Sequence, residues 1–182
     1  MSEEPTDIEL IHATLQDNES YRHVIARYRP KLLRYIGRLG VRDGQQQEDI
    51  LQEVFIKVYR HLNAYNEAFP FSSWIYRITH NETMSYFRRK RLQPLSLDVL
   101  LHADLIFPAA EIPAEETFDP ERITMVLNQL DQKYKDVIVL KYFEDKSYDE
   151  MADILQKPPG TIATLINRAK QKLKVLLETK NI

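Results

Sequence analysis

Cysteine is absent from the 182-residue chain, which excludes disulfide bonds and thiolate metal ligands. Only four glycines are present, so tight hairpin turns are scarce. No apolar run approaches the roughly 20 residues that a membrane-spanning helix needs. The acidic, polar N-terminus also differs from a signal peptide. We therefore expect a cytoplasmic protein that does not insert into a membrane.

The charge of the chain is unevenly distributed, although the net charge is only −2. Residues 77–91 contain five basic side chains and one acidic, and residues 157–180 contain six basic and one acidic. Residues 98–121 contain seven acidic side chains and neither Lys nor Arg. Two basic segments separated by an acidic strip indicate contact with a polyanion, which the net charge alone would argue against.

The spacing of apolar residues predicts an all-α protein, because they recur every three or four positions and no alternating run stands out. Prolines and acidic residues interrupt this pattern in the middle of the chain. We predict two small helical domains joined by a flexible acidic linker. The predicted boundaries are 1–92 for the first domain, 93–120 for the linker and 121–182 for the second domain. Helical patterns in the first domain cover residues 20–39, 46–62 and 72–90.

The second domain carries the pattern of a helix-turn-helix. Ser147 and Glu150 form a capping box at the start of a short helix, and residues 157–160 (KPPG) force a turn. We predict that Thr161 opens a longer basic helix of the kind that enters the DNA major groove. The candidate DNA contacts on it are Thr161, Ala163, Thr164, Asn167, Arg168, Lys170 and Gln171. A plain helical hairpin with a solvated basic face remains the alternative.

Aromatic and basic residues are interleaved in residues 71–91, a combination that suits unpaired bases and their phosphates. Trp74 and Ile78, four positions apart, are equally explained as one apolar stripe of the core. For the cluster of Arg88, Arg89 and Arg91 we favour contact with a polyanion.

A third feature is the polar face of the helix predicted at residues 46–62. Asp49, Gln52 and Glu53 share that face at spacings of three and four, opposite an apolar stripe. By itself this is the pattern of an ordinary solvated surface.

Taken in order, these segments resemble the extracytoplasmic-function (ECF) sigma factors. Residues 48–59 (EDILQEVFIKVY) and 73–81 (SWIYRITHN) are similar to region 2 of that family. The second domain resembles region 4 of the family at residues 127–131 (LNQLD), 139–144 (VLKYFE), 147–152 (SYDEMA), 160–162 (GTI) and 168–169 (RA). Each piece is short, and the ordered set covers both predicted domains.

The resemblance implies that the chain directs RNA polymerase to promoters. Region 2 would bind the beta-prime clamp helices of core RNA polymerase through Asp49, Gln52 and Glu53. It would also recognise and open the −10 element, with the loop 63–71 receiving a flipped base. The residues implied in −10 DNA contact are Asn63, Tyr65, Phe69, Trp74, Arg77, Asn81, Arg88, Arg89 and Arg91.

The resemblance further implies that region 4 reads the −35 element with the helix from Thr161 and touches the polymerase beta flap. The acidic linker resembles the family segment that runs through the polymerase, where its charge would mimic nucleic acid. Such proteins are commonly held inactive by an anti-sigma factor, which we expect as a partner. One departure concerns Ala163 and Leu165, which stand where the family usually has basic residues. The −35 preference is therefore open.

Other classes of function leave part of the sequence unexplained. A helix-turn-helix regulator that works without polymerase accounts for the second domain only, and it would be expected to dimerise. An enzyme would need a constellation that the sequence does not show: His80 with Glu82, and His102 with Asp104, are spaced by two and fall on different helix faces. We expect no enzymatic activity, no metal and no cofactor. A purely structural module would lack salt-sensitive DNA binding.

Overall fold

The computed structural model describes residues 4–92 and 125–179, and the regular structure within these ranges is helical, with no strand. The predicted all-α class is confirmed, whereas the predicted linker lies outside the described residues. Four helices belong to the first domain: α1 (Asp7–Gln16), α2 (Tyr21–Leu39), α3 (Gly44–His61) and α4 (Phe71–Leu92). The second domain contains helical residues at 125–127, followed by α5 (Gln132–Tyr142), α6 (Tyr148–Leu155) and α7 (Pro159–Thr179).

Local capping separates α2 from α3. Gly40 ends α2 in the left-handed conformation, with φ of 116°, which glycine adopts without steric cost. The carboxylate of Asp43 then accepts hydrogen bonds from the backbone N–H groups of Gln45 and Gln46, at 2.8 and 3.2 Å. These bonds satisfy donors at the first turn of α3 that have no partner within the helix.

The core of the first domain lies where α2, α3 and α4 meet. The predicted apolar stripe of α3 is buried throughout: Ile50, Leu51, Val54, Phe55 and Val58, with Leu62 directly after the helix. It packs with completely buried residues of the neighbouring helices, among them Tyr35 of α2 and Ile75 of α4. Burying each such side chain contributes roughly 1.5–3 kcal/mol, so the stripe fixes which face of α3 points outward.

The capping box predicted at the start of α6 is present. Ser147 Oγ accepts from the Glu150 N–H at 3.2 Å, and the Glu150 carboxylate accepts from the Ser147 N–H at 2.9 Å. The predicted start of the last helix was wrong by two residues, because α7 begins at Pro159 rather than Thr161. Proline is compatible with the first turn of a helix, where its missing N–H costs no hydrogen bond. The turn between α6 and α7 is correspondingly shorter.

Replacing Ser147 by alanine is expected to lower the free energy of unfolding by about 1 kcal/mol, since the first turn of α6 loses its side-chain acceptor. Urea denaturation followed by circular dichroism measures the change. Ser20→Ala is the matched control, because Ser20 stands at the corresponding position of α2 and makes no capping hydrogen bond. Equal destabilisation by the two substitutions would contradict the assignment of the capping box.

The two domains pack against each other. Helix α2 contacts α5, and α4 contacts α6. The buried apolar side chains of both domains form one continuous cluster that includes Leu39, Tyr76, Leu140 and Ile154. The sequence patterns left this arrangement undetermined, and it decides which candidate residues are accessible.

Candidate nucleic-acid and polymerase interface

Helix α7 presents most of the predicted DNA contacts to solvent. Thr161, Thr164, Asn167, Arg168, Lys170 and Gln171 are exposed, and Ala163 is half-buried. These residues lie in the first half of α7, where Ile162, Ile166 and Ala169 hold the opposite face in the core. Thr164 donates its hydroxyl to the Gly160 carbonyl at 2.9 Å, and Lys170 Nζ lies 5.7 Å from the centre of the Tyr142 ring. The helix is therefore oriented by its buried stripe and open on its polar face.

Leu165 has a packing role in this helix. Its side chain is half-buried and packs against the core, whereas Ala163 borders the exposed face. A lysine or arginine at position 165 would lose this apolar contact. The effect of Ala163 and Leu165 on the choice of −35 sequence stays a prediction.

An aromatic cluster fixes the loop before α4. The Trp74 ring lies 5.4 Å from that of Tyr65 and 5.7 Å from that of Phe71, and Tyr65 meets Phe71 edge to face at 5.3 Å. Burial raises the pKa of the Tyr65 hydroxyl, which donates to the Phe69 carbonyl. Phe69 itself is 55% exposed, and Asn63 is exposed. Tyr65 and Trp74 thus support the loop, while Asn63 and Phe69 project from it.

The basic residues of α4 fall into two groups. Arg77 is half-buried and forms an ion pair with Asp153 of α6 at 2.7 Å. Asn81, Arg88, Arg89 and Arg91 are exposed, and Arg88 donates to Ser85 Oγ at 3.0 Å. The structure therefore brings the C-terminal cluster to the surface and turns Arg77 toward the second domain.

The polar face of α3 is exposed at all three predicted positions, Asp49, Gln52 and Glu53. Asp49 and Glu53 line a cleft of about 520 Å³ between α3 and α4, whose other wall carries Arg89 and Lys90. Gln45 Nε2 donates to the Asp49 carboxylate at 3.2 Å. Asp49 and Glu53 consequently lie across the cleft from two cations and from the carboxylate of Glu82, whereas Gln52 lies outside the cleft.

Comparison with known proteins identifies the family. A model of sigma-70 region 2 matches residues 24–93, and a model of sigma-70 region 4 matches residues 121–173. The ECF RNA polymerase sigma factor SigW of Bacillus subtilis is 28% identical over 169 residues, covering 87% of this chain and 89% of the relative. The chain is an ECF sigma factor. The ECF RNA polymerase sigma-E factor of Escherichia coli is likewise 28% identical, over 185 residues and 95% of both chains.

Two solved structures share the fold of this sigma factor. CnrH, in complex with the cytosolic domain of CnrY, has a TM-score of 0.69 at 21% identity and covers 93% of this chain and 96% of its own. RpoE from Bartonella quintana, in complex with the anti-sigma factor NepR, has a TM-score of 0.67 at 22% identity and covers 88% and 98%.

Membership of this family establishes the general function of the chain. A sigma factor directs transcription initiation, and so does this one. The family consists of initiation factors rather than enzymes. Among the residues that the structure describes, no group of three or more His, Cys, Asp or Glu side chains could hold a metal ion. None of the described helices is long and apolar enough to cross a membrane.

An apolar groove, not predicted from the sequence, lies beside Gln52. The groove has a volume of about 510 Å³ and is lined by Tyr21, Ile25, Phe55, Ile56 and Tyr59, with Asn18, Gln52 and Arg60 at its edges. Ile56 and Tyr59 are 38% and 39% exposed. Both lie off the buried stripe of α3, and large apolar residues on the solvated face of an amphipathic helix were the signal that could have revealed the groove.

Proposed function

We propose that the sigma factor binds core RNA polymerase through α3 and promoter DNA through α4 and α7. The observation that supports this most directly is the separation of these surfaces. Asp49, Gln52 and Glu53 lie exposed on α3, while the polar face of α7 is exposed on the other domain. One chain can therefore hold polymerase and DNA at the same time, which a stand-alone DNA-binding protein has no need to do.

The polymerase surface combines charge with apolar area. The carboxylates of Asp49 and Glu53 provide acceptors for charge-assisted hydrogen bonds, and the neighbouring groove provides Ile56 and Tyr59 for apolar burial. We assign this surface to the beta-prime clamp helices and the second domain to the beta flap.

The −10 element is assigned to the loop before α4 and to α4 itself. Exposed Asn63 and Phe69 suit a base flipped out of the duplex, because an exposed ring offers a stacking face and an amide offers hydrogen bonds. Asn81 and the arginine cluster continue this surface along α4. The −35 element is assigned to the exposed face of α7, where Arg168 and Gln171 carry the donors that read base edges.

A second protein is proposed to regulate the sigma factor. RpoE, which shares the fold, was solved with the anti-sigma factor NepR, and an anti-sigma factor is proposed for this chain as well. We place the action of the sigma factor itself in the cytoplasm, where bacterial DNA is transcribed, and we assign no catalytic activity to the sigma factor.

The purified chain is expected to bind sigma-free bacterial core RNA polymerase tightly, saturably and one to one. Fluorescence anisotropy of the labelled chain measures this binding, with an unrelated helix-turn-helix protein as the control. If the folded chain does not bind a polymerase that accepts another sigma factor, and instead dimerises on DNA, the proposal is wrong and a regulator that works without polymerase takes its place.

A further inference from the structure

The loop before α4 contains a turn that is closed by its own hydrogen bonds. The Asn66 carbonyl accepts from the Phe69 N–H at 3.1 Å, and the Asn66 side-chain oxygen accepts from the Ala68 N–H at 3.0 Å. The Tyr65 hydroxyl donates to the Phe69 carbonyl. These bonds fix the shape of the turn at residues 66–69. Because all of them are made within the loop, they do not fix the orientation of the turn on the domain.

A side chain of α1 reaches this turn from outside the loop. His12 Nε2 lies 2.7 Å from Glu67 Oε1, and the two residues are 55 positions apart in the chain. An ionised carboxylate can only accept a hydrogen bond, so the imidazole Nε2–H is the donor. In the part of the chain that the structure describes, this is the only hydrogen bond or ion pair that joins residues 66–69 to a helix. It therefore orients the turn.

Helix α1 is itself firmly attached to the first domain. Leu10 and Ile11 are buried, and the helix packs against α2. At its N-terminal end the Asp7 carboxylate accepts from the Tyr28 hydroxyl at 2.5 Å and pairs with Arg27 at 2.8 Å. The imidazole of α1 is thus a fixed point, and the contact transmits that fixed position to the loop.

The contact lies close to the exposed ring of the loop. Glu67 is a central residue of the turn, and Phe69, which closes the turn, is 55% exposed. A turn held at Glu67 cannot rotate freely about its two ends, so the direction of the Phe69 ring is restricted before any base arrives. A site that is ordered in advance loses less conformational entropy on binding. The benefit is realised only by a base that fits the fixed geometry.

We infer that His12 is a positioning residue for base recognition, which holds the loop before α4, through Glu67, in the orientation that receives an unpaired base. The inference gives α1, which carries none of the predicted DNA contacts, a part in the choice of −10 sequence. It rests on the proposed assignment of the loop to the −10 element, whereas the orientation of the loop in the free chain does not. The side chains of His12 and Glu67 are 52% and 48% exposed, so their contact adds little to stability.

Three substitutions change this contact, and a fourth is the control. His12→Ala removes the donor, Glu67→Ala removes the acceptor, and His12→Gln keeps an N–H donor on a side chain of similar reach. Gln16→Ala is the matched control, because Gln16 is exposed one turn further along α1 and its side chain makes no hydrogen bond with the described residues. All four positions changed are at the surface, so each variant is expected to fold, which circular dichroism checks.

The orientation of the loop is measured in the free chain through Trp74. This residue is the only tryptophan of the sequence, and its ring lies 5.4 Å from that of Tyr65 in the loop. Quenching of its fluorescence by acrylamide is expected to increase in His12→Ala and Glu67→Ala, and to stay at the wild-type level in His12→Gln and Gln16→Ala. Equal quenching of the wild type and His12→Ala would overturn the inference, and this measurement needs neither polymerase nor DNA.

Base choice is measured with the holoenzyme formed from the chain and core polymerase. Selection from a randomised pool of single-stranded DNA supplies a preferred oligonucleotide. Discrimination is the ratio of its affinity to that of the same oligonucleotide lacking the base at the most selective position. His12→Ala is expected to lower this ratio about two- to fivefold, as the loss of one exposed ion pair implies, and His12→Gln is expected to restore most of it. Glu67→Ala should lower the ratio by the same factor, with no further loss in the double variant, because the two side chains form one contact.

Phe69→Ala separates this inference from the proposed function. Because it removes the exposed ring of the loop, this variant is expected to lower the discrimination ratio at least as far as His12→Ala does. If Phe69→Ala leaves the ratio unchanged, the loop does not receive a base and the proposed −10 assignment is wrong. If Phe69→Ala lowers the ratio and His12→Ala does not, the −10 assignment stands and the positioning role of His12 is overturned.

Discussion

Alanine at Asp49, Gln52 and Glu53 together is expected to weaken binding to core RNA polymerase by at least about a hundredfold. Hydrogen bonds to charged groups contribute roughly 1.5–3 kcal/mol each, and two of the three side chains are carboxylates on an exposed face. Because all three are exposed and none is part of the core, the free energy of unfolding should change by less than about 0.5 kcal/mol. An anisotropy titration and a urea melt on the same sample separate the two effects.

The control for this triple variant is the pair Gln16→Ala and Glu19→Ala. Both side chains are exposed in the first domain and lie outside the proposed polymerase surface. The pair is expected to bind core polymerase as the wild type does. Unchanged affinity of the triple variant would remove Asp49, Gln52 and Glu53 from the proposed surface and would leave the groove of Ile56 and Tyr59 as the candidate.

The local structure of this sigma factor was largely predictable from its sequence. The apolar stripe of α3 and the capping box at Ser147 depend on residues three or four positions apart, and the sequence displays those spacings directly. The start of α7 was misjudged because a Pro-Pro pair predicts a break in most contexts, although its second proline is well suited to open a helix. Such errors arise from ambiguous local signals and shift a boundary by a residue or two.

The contacts between the domains could not be predicted in this way. From the sequence, Arg77 was predicted to contact DNA. In the structure it pairs with Asp153, which is 76 positions away in the chain. Glu144 lies in a motif that supported the resemblance to region 4, but its burial depends on Arg38 and Tyr76 of the other domain. No periodicity within one segment encodes such a pairing. The chemistry of the candidate site was therefore visible in the sequence, while its accessibility was not.

The arginine cluster at the end of α4 leads to the second large expected effect. Arg88 and Arg91 are three positions apart and share one side of the helix, whereas Arg89 is turned by about 100° and lines the cleft with Asp49 and Glu53. The cluster is thus divided between two surfaces.

Arg88→Glu with Arg91→Glu is expected to reduce open-complex formation about tenfold or more, because two phosphate contacts become repulsions. Binding to core RNA polymerase is expected to be unchanged.

The salt dependence of promoter binding tests whether these contacts are made to phosphates. Loss of two contacts should lower the slope of log affinity against log salt by about 1.8 for duplex DNA, or about 1.4 for a single strand. Arg22→Glu with Lys31→Glu is the matched control, since both side chains are exposed on α2 and the change in net charge is the same. An equal loss in this control would mean that total charge, and not the position of the cluster, drives the effect.

Arg89→Glu should behave differently from Arg88→Glu with Arg91→Glu. A carboxylate at position 89 faces Asp49 and Glu53 across the cleft, so it replaces a positive charge by a further negative charge beside the proposed polymerase surface. Repulsion there is expected to weaken core binding as well as open-complex formation, and raising the salt concentration should restore part of the core binding. If Arg89→Glu spared core binding, the cleft would lie outside the polymerase contact and the surface would be confined to the side of α3 that carries Gln52.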